Sequence, residues 1–468
     1  MTQKGLATGT AIAALFVYLS GPTQAQDEGG LRASLGVSQS FGYGDNLALG
    51  VPGSVTNPEQ GSTNQSLTSF ALNVDSITRN QEFNLQTGGA LRAASLPPGS
   101  ATETGFVDPF ITLSYDRRSA NARFSFDGSF EESDISQGRP LWDFTDEDNV
   151  IVLPSDLSSL QGTGLRLASD VALDLELGLN SPIGFRFFAN NSTVRYEDET
   201  AVGLNDFDRT RVGASTFFRF NPVTTAVVDY VFTRFNEDGV ANDRDTETVE
   251  FGFDREFSDQ SQFSFRLGYT DGDANNVGRP DNASGLSGSV RYTRPLTDGN
   301  FSAGYAVTRD STGEIDRLDF GRNFALRGGS LGISVGATSV YGASPRFSGG
   351  INWSQEFQTS QLSLQLNRQV LPDENDNSRF TTSFAAQYTH TLSPYSTFVA
   401  NFSYFVSDGS ATSNEVDRGD VVLRYDYALT DDWNLNAGIN LRMRDEETVG
   451  RGESQEIFVG LSRRFDLY

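Results

Sequence analysis

Carboxylates set two residues apart recur along this sequence, as in Asp174 and Glu176 or Asp254 and Glu256. Two close carboxylates are what general acid–base chemistry needs. The spacing has a plainer origin, because alternate residues of a β-strand share one face. Acids lined up that way, with arginines on neighbouring strands, make a solvated wall. His390 is the only histidine. It lies two residues before the turn-like run Leu392-Ser393-Pro394-Tyr395, where an interfacial side chain is expected. A nucleophile relay needs a His positioned by an acid, and no second His exists to build a metalloprotease helix motif or a His-based metal site. Cysteine is absent, which removes disulfides and thiolate ligands. The acidic runs Asp271-Gly272-Asp273 and Asp373-Glu374-Asn375-Asp376-Asn377 lack the distal Glu of the twelve-residue calcium loop. They suit loose divalent bridging to anionic lipid headgroups. The expectation is no enzyme, no cofactor and no dedicated metal site.

The element that must position these acids is a long strand. Gly164 to Asn180 reads G-L-R-L-A-S-D-V-A-L-D-L-E-L-G-L-N. Leu165, Leu167, Val171, Leu173, Leu175 and Leu177 alternate with Arg166, Ala168, Asp170, Ala172, Asp174 and Glu176. The run is about twice the usual strand length of roughly 5–6 residues. Leucine on one face and charge on the other is what a membrane-spanning barrel needs, with lipid outside and a wet interior. Gly 47, Phe 36 and Tyr 15 fit β-structure with aromatic belts. Arg166, Asp170, Asp174, Glu176, Asp229, Glu250, Asp254 and Arg266 are the expected lumen-wall charges.

Similar runs follow one another to the end of the chain, joined by two kinds of connection. Short ones carry Ser, Thr, Asp and Gly, as in Leu296-Thr297-Asp298-Gly299-Asn300 and Leu429-Thr430-Asp431-Asp432-Trp433, residues suited to tight reversals. Long ones are acidic, as in 236–245, 271–282 and 408–420. Short and long alternate without a break in this reading. The pattern predicts an all-β, closed antiparallel transmembrane barrel of about 22 strands, within 18–22, with short periplasmic turns and long outer loops. Both termini then lie on the periplasmic side.

Charge gives a second constraint. Lys+Arg 35 against Asp+Glu 61 makes −26. The only lysine, Lys4, lies in residues 1–25, which read as a secretory signal: an apolar stretch from Ala11 to Leu19 and a small-residue cleavage site at Thr23-Gln24-Ala25. Residues 26–468 form the barrel and carry −27, from 34 arginines against 61 acids. Such a field repels nucleic acid and attracts cations.

The longest irregular segment, Glu131 to Thr163, is the third long connection. It holds Glu131, Glu132, Asp134, Asp143, Asp146, Glu147, Asp148 and Asp156 against one base, Arg139. Leu141-Trp142 and Val150-Ile151-Val152-Leu153 are candidate apolar anchors. Two readings stay open: a carboxylate-lined constriction folded into the pore, with the first seven acids as its lining, or an ordinary solvated surface loop.

The exported leader, the alternating strands and the sided loops together resemble the Gram-negative outer-membrane β-barrel family. Runs such as Val228-Asp229-Tyr230-Val231-Phe232 and Phe263-Ser264-Phe265-Arg266-Leu267 resemble porin-like barrels, some of them linked to exopolysaccharide export. The resemblance implies residence in the cell outer membrane, contact with lipid and lipopolysaccharide, and assembly by the barrel machinery through the C-terminal strand. Such barrels commonly end in an aromatic residue, and Tyr468 is similar. Its register departs, since Ile457, Val459, Leu461, Phe465 and Leu467 share the opposite parity. The energised 22-strand transporters carry a plug ahead of the barrel. Strand-like sequence beginning near Leu31 is read against that plug.

These readings predict a passive channel for small hydrophilic or saccharide solutes, favouring cations. An export-linked barrel serving an exopolysaccharide secretion system is one rival. A soluble secreted all-β adhesin is another, which would not require sided loops. A homo-oligomer stays open.

Overall fold

A computed structural model describes residues 30–54, 59–97, 100, 102–135, 141, 164–197, 204–238, 243–274, 284–310, 313–372, 378–409 and 415–467. Twenty-two strands follow one another in it. They are β1 Gly30–Asp45, β2 Ser62–Thr78, β3 Gln81–Ser95, β4 Gly105–Arg118, β5 Ala122–Asp134, β6 Leu165–Leu177, β7 Ile183–Glu197 and β8 Phe207–Asn221. Next come β9 Thr224–Glu237, β10 Arg244–Glu256, β11 Gln262–Ala274, β12 Gly285–Leu296, β13 Gly299–Asp310, β14 Gly313–Leu326 and β15 Gly329–Val340. The last are β16 Arg346–Glu356, β17 Ser360–Pro372, β18 Ser378–Ser393, β19 Ser396–Ser407, β20 Val416–Ala428, β21 Trp433–Glu446 and β22 Gly450–Asp466. Lengths run from 11 to 17 residues, enough to cross a bilayer at a tilt, which takes about 9–11.

Each strand pairs antiparallel with its sequence neighbours. The sheet closes where β1 meets β22, from Ser34↔Asp466 to Asp45↔Gln455. Closure leaves no unpaired edge, which spanning a bilayer with strands requires. The polarity is inverted relative to a soluble domain. Leu173, Phe187, Val249, Phe251, Leu267, Ile351 and Val459 are exposed, while Arg92, Arg166, Arg244, Arg418, Arg442 and Arg444 are buried. Cross-strand partners share a face, so Leu173 with Phe126 and Phe251 with Leu267 form an outward apolar belt. The even positions of β6 turn inward.

One end of the barrel carries the tight turns. Two residues join β2 to β3, β8 to β9, β12 to β13 and β18 to β19. Both described chain ends lie on that side. The opposite rim carries the long connections, 46–61 and 135–164 among them. The alternation in length is nevertheless broken there. Only residues 311–312 join β13 to β14, and 447–449 join β21 to β22. Pairing persists to Asp310↔Gly313, and Gly313 at φ +138 adopts a geometry that favours glycine at such a hairpin.

The described part of the last strand runs without a register shift from Gly450 to Asp466, so no bulge changes the parity read from the sequence. Tyr468 lies outside the described residues. His390 stacks on Tyr388 with centroids 6.1 Å apart and planes 8° apart. It shares the outer face near the tight-turn end, the interfacial position expected of it.

Candidate lumenal transport site

Alternation sets the lumen wall, and cross-strand pairing sets its charge. Asp174 on β6 accepts from Arg186 on β7, Nη2 at 2.5 Å and Nε at 2.6 Å. Arg266 on β11 forks onto Asp254 on β10 with both bonds at 2.9 Å, and its Nε lies 3.8 Å from Asp229 on β9. Ser287 donates its hydroxyl to Glu250 at 3.4 Å. Glu176 lines a 390 Å³ recess with Arg123, Asp174, Arg186 and Phe188. Asp170 stands between Ser129 and Ser192 of the neighbouring strands, and Arg166 is buried opposite Tyr196. The wall acids are thus interleaved with arginines, and the chain's acidic excess falls outside this wall. Phe188 turns its ring to the lumen between Arg186 and Arg211, whose guanidinium carbons lie 5.5 and 5.4 Å from its centroid.

At the long-loop rim, side chains from the connections enter the barrel. Leu141 is fully buried, and its N–H donates to Asp420 Oδ2 of β20 at 3.0 Å. Asp420 faces inward with Arg418, Nε 3.8 Å away. Arg442 of β21 donates to the Leu47 carbonyl at 3.1 Å, so the β1–β2 connection also leans on the inner wall. Ile135 and Leu204 pack with Val194, Tyr196, Phe207 and Phe235 as an apolar cluster inside the mouth.

The expected constriction acids separate. Glu131 is cross-strand to Phe110 and Ala168 and shares the lumen face. Glu132 is cross-strand to Leu167, which puts it on the other face. Asp134 is buried against Arg92 at 3.2 Å and accepts from the Glu103 N–H at 3.0 Å. Asp143, Asp146, Glu147, Asp148 and Asp156 lie outside the described residues, as do Arg139, Trp142 and 150–153.

Other residues here had no distinguishing sequence signal. Asp420, Asn440 and Arg442 read as ordinary alternating positions, and only their depth of burial marks them. Gly332-Ile333-Ser334-Val335-Gly336 has the spacing of a hydrolase nucleophile elbow. It lies wholly inside β15, whereas the elbow is a strained strand-to-helix turn. Ser334 is therefore a wall residue. Among the described residues no group of three or more His, Cys, Asp or Glu is arranged to hold a metal ion.

No protein-family model matches the sequence, and no curated protein matches it. Solved structures do match in fold. The ferric enterobactin receptor PfeA superposes with a TM-score of 0.52 at 10% identity, over 93% of this chain and 82% of that one. The FrpB iron transporter of Neisseria meningitidis gives 0.54 at 11%, over 92% and 81%. The siderophore receptor PirA of Acinetobacter baumannii gives 0.52 at 11%, over 93% and 80%. Identities this low carry the fold and not the ligand. With its closed sheet, outward apolar belt and charged interior, the chain is a 22-stranded antiparallel transmembrane β-barrel with the fold of these outer-membrane proteins.

Proposed function

We propose that this barrel is a passive channel for small hydrophilic or saccharide solutes, favouring cations, and that it transports rather than catalyses. The observation that carries the reading is the polar, Arg–carboxylate-paired inner wall of a 22-stranded cylinder. Even 16–18 strands leave an aqueous channel, and a wall of paired charges stays wet without binding any one ion tightly. Because the wall charges are matched in pairs, the cation preference is assigned to the acidic excess in the outer connections, where screening by salt is strong.

Purified protein in a planar bilayer tests this. Large conductance steps with cation preference, weakening as salt rises, are the expected result. Anion preference would remove the role given to the outer acids. A silent bilayer would overturn the open channel. It would favour instead a barrel that opens with an exopolysaccharide export system, a second reading supported by lumen-facing rings such as Phe188.

A further inference from the structure

Where the barrel closes, the inner wall has few large side chains. The inward positions of β1 are Ser34, Gly36, Ser38, Ser40 and Gly42, and β22 adds Gly460 and Ser462 beside them. The β1 positions and Ser462 floor a groove of 910 Å³, near the top of the roughly 300–1,000 Å³ range of ligand sites. From Ser34 to Gly42 the floor runs about 26 Å along the strand, at ~3.3 Å per residue.

Its borders are chemically specific. Asn440 of β21 lines the groove and is 8% exposed, and its Oδ1 has no hydrogen-bond partner among the described residues. A buried amide oxygen without a partner is unfavourable, and a ligand hydroxyl that reached it would offset that. Two rings border the groove, each lying over a glycine. A Cβ on Gly438 would meet Phe458 Cζ at 2.6 Å, and one on Gly88 would meet Phe110 Cε1 at 2.9 Å. Glu456 and Arg92 on the border already have partners. Gln65 donates to Glu456 at 2.9 Å, and Arg92 is paired with Asp108 at 2.8 Å and Asp134 at 3.2 Å.

We infer that this groove is a binding track for a neutral, hydroxyl-rich chain, an oligosaccharide lying lengthwise along the closure of the barrel. A hydroxyl both donates and accepts, matching amides and serines that offer both roles. The C–H faces of pyranose rings match Phe110 and Phe458. A chain of one charge would meet carboxylates and guanidiniums alike along the border, Glu456 and Arg92 among them. The inference rests on the transport reading, because a track inside the lumen serves a solute that passes through it.

The test separates the two claims. Calorimetry on the full chain in detergent, with maltohexaose, cellohexaose and laminarihexaose as probes, reads binding without conduction. Binding of at least one hexasaccharide is expected, and none of a polyethylene glycol of equal length. Gly36→Trp fills the groove without a backbone clash, since a Cβ there meets only the Ala71 carbonyl at 3.7 Å. It should weaken binding at least tenfold, and Asn440→Ala several-fold. Ala306→Trp, on the inner wall of β13, should leave it unchanged. Heat-shifted gel migration establishes that each variant is folded. Binding by the wild type with a silent bilayer would retain the track and overturn the channel. Conduction with no hexasaccharide bound, equal uptake of the glycol, or undiminished binding by folded Gly36→Trp would overturn the track.

Discussion

The Leu141 N–H and the Asp420 carboxylate meet at 3.0 Å, tying the β5–β6 connection to a strand seven places round the wall from β5. Asp420 is 2% exposed and lies beside Arg418 and Arg442. Asp420→Ala therefore removes an acceptor and leaves buried positive charge without its acid, a change that costs about 3–5 kcal/mol in buried pairs. Asp420→Asn keeps an oxygen for the Leu141 N–H and should cost less. The temperature at which the folded band is lost on gels should fall more for Ala than for Asn. In the bilayer, Asp420→Ala should give larger or noisier steps. Equal behaviour of the two variants would mean that this contact does not hold Leu141 against the wall.

That contact marks the limit of what the chain discloses as text. The strands are legible because a barrel strand has two solvents, and Leu173 and Asp174 report them with a period of two. Register is legible too, since a one-residue slip would put Asp174 in lipid. Strand number follows from turn chemistry such as Thr297-Asp298. Connections have no period. Nothing in the sequence tells that Leu141, Leu47 and Leu204 point inward, because an apolar residue in a loop buries wherever the closed wall offers a surface. The short β13–β14 connection escapes reading for the same reason: strand pairing, not composition, decides where β13 ends and β14 begins.

The β10–β11 turn offers a test of local electrostatics outside the membrane wall. Asp259 accepts from the Ser261 hydroxyl at 2.6 Å and its N–H at 3.1 Å, and the hydroxyl chiefly holds the carboxyl below its usual range. A carboxyl depressed in the folded state adds stability above its unfolded value, roughly pH 4. That stability is lost as pH falls through the lower, folded value. Carboxyl-carbon NMR should give Asp259 a midpoint below that of a free peptide of the same turn. Ser261→Ala should raise it toward the peptide.

Arg266 lies over Gly252, where a Cβ would meet Arg266 Cδ and Val227 Cγ1, each at 2.5 Å. Gly252→Ala should push the arginine stem aside and disturb its two bonds to Asp254, at about 1–3 kcal/mol as for other overpacked sites. Gly36→Ala, whose Cβ makes only an ordinary contact with the Ala71 carbonyl at 3.7 Å, should stay within about 0.5 kcal/mol of wild type. Unfolding in urea with lipid-reconstituted protein compares them. A Gly252→Ala barrel as stable as Gly36→Ala would mean that Arg266 does not rest there.

The sharpest check on the whole architecture is one pair of neighbours on β6. Leu173 is 39% exposed on the outer face, cross-strand to Phe126 and Ala189, within the belt that meets lipid. Asp174 turns inward and is bonded to Arg186. An arginine on the lipid face near mid-membrane costs about 2–4 kcal/mol. An arginine at the wet wall loses only a half-exposed ion pair, worth about 0–1 kcal/mol, and gains some repulsion from Arg186. Leu173→Arg should therefore lower both the assembled fraction and the unfolding midpoint far more than Asp174→Arg. The lumenal change should instead alter ion selectivity toward anions while the barrel still assembles. If the two substitutions impair assembly alike, the face assignment of β6 is wrong, and with it the wall built from Arg166, Asp170, Asp174 and Glu176.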